Sequence, residues 1–153
     1  MSRAAARGFT FIEIMVVVAI VGVGAMLTIP ALDAGFDSRE VRRAVRQIAA
    51  TMHHLRGEAV ATGRVRRLRI SPAENGIETD DRRRWIVLTD RALIERVDGG
   101  FAAADGTVEI LFYANGATSG AEVVVVSRRD RANNRLKLVL DPLVGGVRVE
   151  DAG

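Results

Sequence analysis

Gly8-Phe9-Thr10-Phe11-Ile12-Glu13-Ile14-Met15-Val16-Val17-Val18-Ala19-Ile20, continued by Val21 to Leu32 as VGVGAMLTIPAL, is the stretch on which the reading of this 153-residue chain turns. From Ile14 to Leu32 it holds nineteen residues without a charge. A helix of that length, rising about 1.5 Å per residue, would cross roughly 28 Å of hydrocarbon, so the segment is a transmembrane candidate. Met1 to Gly8 form a short polar leader with Arg3 and Arg7. The positive-inside tendency holds such a leader in the cytoplasm and sends the rest of the chain outward. An ordinary secretory signal has a shorter apolar region, about 7–15 residues, and then a small-residue cleavage site. Pro30-Ala31-Leu32-Asp33 offers no such site, whereas a cut at Gly8-Phe9 would retain the apolar segment. Glu13 is the anomaly in this block. A charge near mid-bilayer costs about 2.5–3.5 kcal/mol and less near the interface, so Glu13 calls for a partner or for water.

Downstream, Val41, Val45, Ile48, Met52, Leu55 and Ala59 recur at intervals of four and three, while Arg42, Arg43, Arg46 and Glu58 fall elsewhere on the wheel. This is the period of an amphipathic helix with one face to bury. Asp37 or Ser38 is suited to cap its start and Gly63 to end it. Pro30 and Gly35 lie between the apolar and amphipathic portions, where they permit a kink, a melted stretch or a plain helix boundary. His53 and His54 are adjacent, so on a helix they point about 100° apart and cannot chelate one metal as an i, i+4 pair can.

Past Gly63 the pattern changes to short β-rich runs: Val65 to Ile70, Arg84 to Thr89, Thr107 to Tyr113, Glu122 to Ser127, Leu136 to Leu140 and Val147 to Glu150. Asn75-Gly76, Asn115-Gly116, Ser119-Gly120 and Asn133-Asn134 supply turn chemistry. Ser71 to Arg83 and Val97 to Gly106 read as loops. Asp80-Asp81 lacks the alternating oxygen ligands and glycine turn of a calcium loop. Successive strands without intervening helices favour an antiparallel sheet with the amphipathic helix on one face, an α+β fold. The expected organisation is a leader over 1–8, a membrane helix over 9–32, an amphipathic helix over 33–63 and a β-rich domain over 64–153.

Composition narrows the function. Without cysteine there are no disulfides, redox CxxC motifs or thiolate zinc sites. The formal charge of +3 falls to about +1 without Arg3 and Arg7, far from the basic balance of a dedicated nucleic-acid binder. There is no P-loop, HExxH or GxSxG motif, and Ser71, Ser119 and Ser127 sit at turns or strand ends. The chain reads as a non-enzyme with no cofactor and no resident metal.

Gly8 followed by Phe9, Glu13 five residues after the junction, the long apolar run and Pro30 together resemble the class III signal of type IV pilins and type II secretion pseudopilins. The resemblance implies that a prepilin peptidase cuts between Gly8 and Phe9 and N-methylates Phe9, and that the apolar helix stays in inner-membrane lipid until the subunit joins a filament. It further implies that Glu13 pairs with the terminal amine of a neighbouring subunit, which is chemically sensible because each charge lowers the cost of burying the other. The run ILFYANGATSGAEVVVVS from Ile110 to Ser127, followed by Leu136 to Val149 with a Gly145-Gly146 turn, resembles the C-terminal domain of the GspH/FimT family, although Ala114 stands where that family often has proline. Major type IV pilins usually carry a C-terminal disulfide, so the absence of cysteine points to a pseudopilin or minor subunit.

The resemblance thus implies a structural subunit of a type II secretion pseudopilus, single-pass in the bacterial inner membrane with its C-terminal domain in the periplasm, in contact with other pseudopilins. The alternative it leaves open is a FimT-like or FimU-like minor pilin acting in pilus assembly or DNA uptake. In that case Arg82, Arg83, Arg84, Arg128 and Arg129 become candidate phosphate contacts, with Asp80, Asp81 and Asp130 close by in sequence weakening the patch.

Overall fold

The structure is a computed structural model that describes residues 9–80 and 85–152, without the side chains of 25–36. Among the described residues one helix, α1, runs from Phe11 to Thr62 and is followed by nine strands. The chain divides into two compact units, Met1–Phe36 and Asp37–Gly153. In the second unit the stripe of α1 comprising Val41, Ala44, Val45, Ile48, Met52, Leu55 and Ala59 is at most 1% exposed. The positions read from spacing are therefore the buried ones, with Ala44 added. Gly63 follows the last helical residue at φ 66°, the left-handed conformation that ends helices at lowest cost on glycine.

Asp37 and Ser38 do not cap this helix, because α1 continues through both. Asp37 is instead buried inside it, 3.4 Å from the Arg91 guanidinium. Pro30 and Gly35 likewise fall within the limits of α1, not at a boundary.

The strands form two antiparallel sheets, where the sequence suggested one. The five-stranded sheet joins β1 (Arg66–Ser71), β2 (Gly76–Thr79), β3 (Ile86–Val87), β5 (Phe101–Ala102) and β6 (Val108–Phe112) in the order β3-β2-β1-β6-β5. The four-stranded sheet joins β4 (Ala92–Gly99), β7 (Ala121–Ser127), β8 (Arg135–Leu140) and β9 (Val147–Asp151) in the order β4-β7-β8-β9. One apolar cluster holds all of this together. Ile48, Met52 and Leu55 from α1 meet Leu68, Ile70, Ile77, Ile110 and Phe112 of the larger sheet and Val123, Val125, Leu138 and Leu140 of the smaller. Full burial of such side chains stabilises by about 1.5–3 kcal/mol each. On β7 the alternate residues Val124 and Val126 are buried as well. That is why this central strand is a continuous valine run and not an alternating one.

Three strands escape the sequence pattern. The loop expected over 71–83 contains β2, and the loop expected over 97–106 contains the end of β4 and all of β5. β4 is hidden because a bulge shifts its pairing with β7 between Ile94 and Arg96. The inward residues Ile94 and Val97 are then three apart, which breaks period-two alternation. Of the strand expected over 84–89, Ile86–Val87 form β3, beyond which the Leu88 N–H still donates to the Asn75 carbonyl at 2.9 Å, while Arg84 lies outside the described residues.

Asn75 ties the two sheets. At φ 50° in the β1–β2 turn, its side-chain amide donates to the Ala92 carbonyl at 2.8 Å and accepts from the Ile94 N–H at 2.9 Å. The carboxamide therefore fills, on the edge of β4, the bonding positions a neighbouring strand would take, and it blunts that edge against other chains.

Candidate functional site

The amino-terminal unit contains Phe9, which is 79% exposed, and the start of α1 two residues later. Gly8 lies outside the described residues. The large apolar side chains from Phe11 to Val23 are 50–81% exposed, on every side of the helix. Space is open around Gly22 and Gly24, where an added Cβ would meet nothing within 4 Å. A helix that is apolar all round is normally covered by a membrane or by other helices. Among the described residues no helix is long and apolar enough to cross a membrane. The candidate span Ile14 to Leu32 runs into 25–36, whose side chains lie outside the description.

Glu13 has a role in its own chain that the sequence reading did not assign. Its N–H donates to the Thr10 hydroxyl at 3.3 Å, and the Thr10 N–H points to the Glu13 carboxylate at 3.5 Å, the outer limit of a hydrogen bond. Two amide donors at the start of α1 are satisfied reciprocally, the arrangement of a capping box. The carboxylate also lies at the positive end of the helix dipole, where negative charge is favoured. The signal was present as Thr10-Phe11-Ile12-Glu13, an S/T-x-x-E pattern directly before an apolar run.

Arg82, Arg83 and Arg84 lie outside the described residues. Arg128 and Arg129 occupy the turn after β7, and both are exposed. Arg128 is committed locally, with its Nε on the Asp90 carbonyl at 2.8 Å and its N–H on the Arg91 carbonyl at 2.9 Å. Arg135 is paired with Glu95, and Asp130 accepts from Asn133 and Asn134 in the same turn. The arginines here are largely used to hold the turn and the neighbouring loop.

A denser charge cluster, which the sequence did not announce, lies on the larger sheet. Arg69 reaches Glu78 at 2.9 Å, Asp105 at 2.8 Å and Glu109 at 3.7 Å, and its guanidinium stands 5.7 Å from the Trp85 ring. Residues from β1, β2 and β6 meet there because the antiparallel register places Arg69 between Glu78 and Glu109. The Thr107 hydroxyl and N–H, with a smaller contribution from Arg69, hold the Asp105 carboxyl below its ordinary range. A shallow cavity of about 300 Å³ opens beside it, lined by Arg67, Arg69, Glu78, Thr79, Asp80 and Glu109. The arrangement is a salt-bridge network centred on Arg69. Among the described residues no three His, Cys, Asp or Glu side chains are placed to hold a metal ion.

A third construction is the turn between β8 and β9. The Asp141 carboxylate accepts the N–H groups of Leu143 and Val144 at 2.8 and 3.0 Å, which lowers its pKa. Gly145, at φ 61°, is pressed against the Gly116 carbonyl and the Arg56 side chain, so that an added Cβ would lie 2.4 Å from that oxygen. Arg56 in turn donates its Nε to the Gly116 carbonyl at 3.0 Å. Leu143 and Val144 are presented outward by this rigid turn, 83% and 64% exposed.

A long helix with an exposed apolar start, docked further along on antiparallel sheets, is the build of a pilin-like filament subunit. Residues 3–29 match the prokaryotic N-terminal methylation motif, and residues 44–143 match the family of type II transport protein GspH. The chain belongs to that GspH family. It is 29% identical over 125 residues to the type II secretion system protein H of Xanthomonas campestris pv. campestris, an alignment covering 76% of this chain and 69% of that protein. Its fold is similar to two structures of the minor pseudopilin EpsH from the type II secretion system of Vibrio cholerae. One has a TM-score of 0.58 at 12% identity, covering 74% of this chain and 98% of that one. The other has a TM-score of 0.56 at 12% identity, covering 76% and 96%.

Proposed function

We propose that this chain is a minor pseudopilin, a structural subunit of the type II secretion pseudopilus. The observation that carries the reading is the exposed apolar start of α1, joined in one chain to a domain matching the GspH family. In this reading a prepilin peptidase cuts between Gly8 and Phe9 and methylates Phe9. The segment 9–32 then rests in the inner membrane, with the remainder periplasmic, until it is drawn into the filament among the other pseudopilins. There van der Waals contact drives helix packing, and Ala19, Gly22, Gly24 and Ala25 permit close approach. Glu13 pairs with the terminal amine of a neighbour, exchanging its weak bond to Thr10 for a charge-assisted one. The protein is not an enzyme and takes no cofactor.

The test is a clean deletion in the native bacterium, complemented by the wild-type gene, with exoprotein release and DNA uptake scored side by side. Loss of release with normal uptake is the expected result, together with an intact mass for the complemented protein that begins at methylated Phe9. The reverse phenotype would move the chain to a DNA-uptake pilus and make Arg82, Arg83, Arg84, Arg128 and Arg129 its contact residues.

A further inference from the structure

We infer that Arg39, Arg42, Arg43 and Arg46 form a docking face for the phosphates of anionic phospholipid headgroups, holding the second unit against the membrane before assembly. The inference rests on the proposed membrane residence of segment 9–32. The four arginines are spaced i, i+3, i+4 and i+7, which puts them in one stripe along roughly 10 Å of helix. All four are exposed, on the side of α1 away from the buried stripe of Val41, Val45, Ile48 and Met52.

Among the described residues acidic side chains are scarce on this face, although Arg39 does make a contact of its own. Glu40 approaches Arg43 at 3.9 Å, a long contact with Arg43 75% exposed, which contributes little in water. Asp37 is buried against Arg91, and Glu58 lies far along the helix beside Arg66 and His54. Residues 37–153 carry twenty Arg and Lys against seventeen Asp and Glu. The stripe, with Glu40 subtracted, equals that surplus of three, so by count the remainder of the unit is balanced.

Position in the chain selects the partner. Arg39 follows the uncharged run Ile14 to Leu32 by seven residues, so this face cannot travel far from any membrane that holds the run. Guanidinium groups bind phosphate through paired N–H donors, and juxtamembrane basic residues gain about fivefold in affinity each at an anionic surface. A second copy of the chain is a poorer fit, because among the described residues of α1 beyond Asp37 the acids are Glu40 and Glu58 alone. Toward the end of the helix the same stripe continues through Ala50, His53, Gly57 and Ala61.

The experiment uses the full processed chain in vesicles. The native sequence has no cysteine, so Ala50→Cys gives one labelling site, exposed on the same face. A fluorophore there is read against lipids carrying a quencher at the headgroup, in vesicles of phosphatidylcholine alone and in vesicles containing phosphatidylglycerol. Quenching is expected to rise with phosphatidylglycerol, to fall in high salt, and to fall with each Arg→Gln change, the ratio of docked to lifted states dropping about fivefold per arginine. Equal quenching in both lipids, in protein that floats with the vesicles, would overturn the inference and leave the membrane reading intact. Protein that does not float with vesicles would overturn both. Loss of secretion in the Arg→Gln series without any lipid dependence would assign the stripe to an acidic partner subunit instead.

Discussion

Residues 11–23 and residues 41–59 belong to the same helix and both carry large apolar side chains, yet these stand in opposite environments. The large apolar side chains of the first are 50–81% exposed, while the seven stripe residues of the second are at most 1% exposed. In the second region apolar groups alternate with Arg42, Arg43, Arg46, Gln47 and His53, so one face can be buried and the other hydrated. In the first region only Glu13 interrupts the apolar surface, and no orientation against the chain's own sheets could cover all of it. The burial that stabilises the second region lies inside the molecule; in the proposed reading it comes, for the first, from lipid or from other subunits.

Substitutions that test this difference should rank by where the covering partner resides. Met52→Ala removes a wholly buried side chain and should cost about 2–5 kcal/mol in urea unfolding. Val18→Ala, of similar character but exposed, should change that stability by less than about 0.5 kcal/mol while weakening incorporation into filaments. Equal losses of stability in the two variants would break the contrast.

Gly145→Ala comes next, because a left-handed backbone and a Cβ 2.4 Å from the Gly116 oxygen must both be accommodated. We expect about 1–3 kcal/mol of destabilisation by thermal unfolding. A smaller loss would mean that the Arg56 side chain and the turn yield together.

At the start of α1, Thr10→Ala removes the capping hydroxyl and should cost the helix about 0.5–2 kcal/mol, visible as faster amide exchange at Glu13 and Ile14. If the proposed pairing with a neighbour's amine governs assembly, Glu13→Gln should impair filament incorporation far more than Thr10→Ala. Equal impairment would make the cap, not the charge, the reason for Glu13.

The smallest effect is with pH. Asp105 and Asp141 have folded pKa values below the ordinary 3.8, the first through Thr107 and the second through the N–H groups of Val144 and Leu143. A depressed carboxylate contributes stability that is full above its unfolded pKa and is lost as pH falls through the lower folded one. Stability should therefore be insensitive to these two groups near neutrality and decline below about pH 4. Thr107→Val should move the Asp105 titration, followed by NMR, back toward its ordinary value.

Several elements were legible before any coordinates. The stripe Val41, Val45, Ile48, Met52, Leu55 and Ala59 followed from its spacing, and the valine run of β7 and the strands β1, β6, β8 and β9 followed from local β-rich patterning. Each of these depends on neighbours in sequence, which is what periodicity reports. The capping box of Thr10 and Glu13 is also written in the sequence, as a Thr-x-x-Glu pattern directly before an apolar run.

What only the tertiary structure decided is where non-local contacts set the outcome. The Glu95 bulge hid β4, whose partner β7 lies far along the chain, while β2 and β5, paired with their neighbours β1 and β6 across short turns, are too short to show a period of their own. The division into two sheets, with Asn75 bonding across to Ala92 and Ile94, and the gathering of Glu78, Asp105 and Glu109 around Arg69, depend on register between strands. Hydrophobic period states which face of a segment must be buried. The partner that buries it is chosen by the competition among all the faces in the folded chain, and for residues 11–23 that competition is left to surfaces outside the molecule.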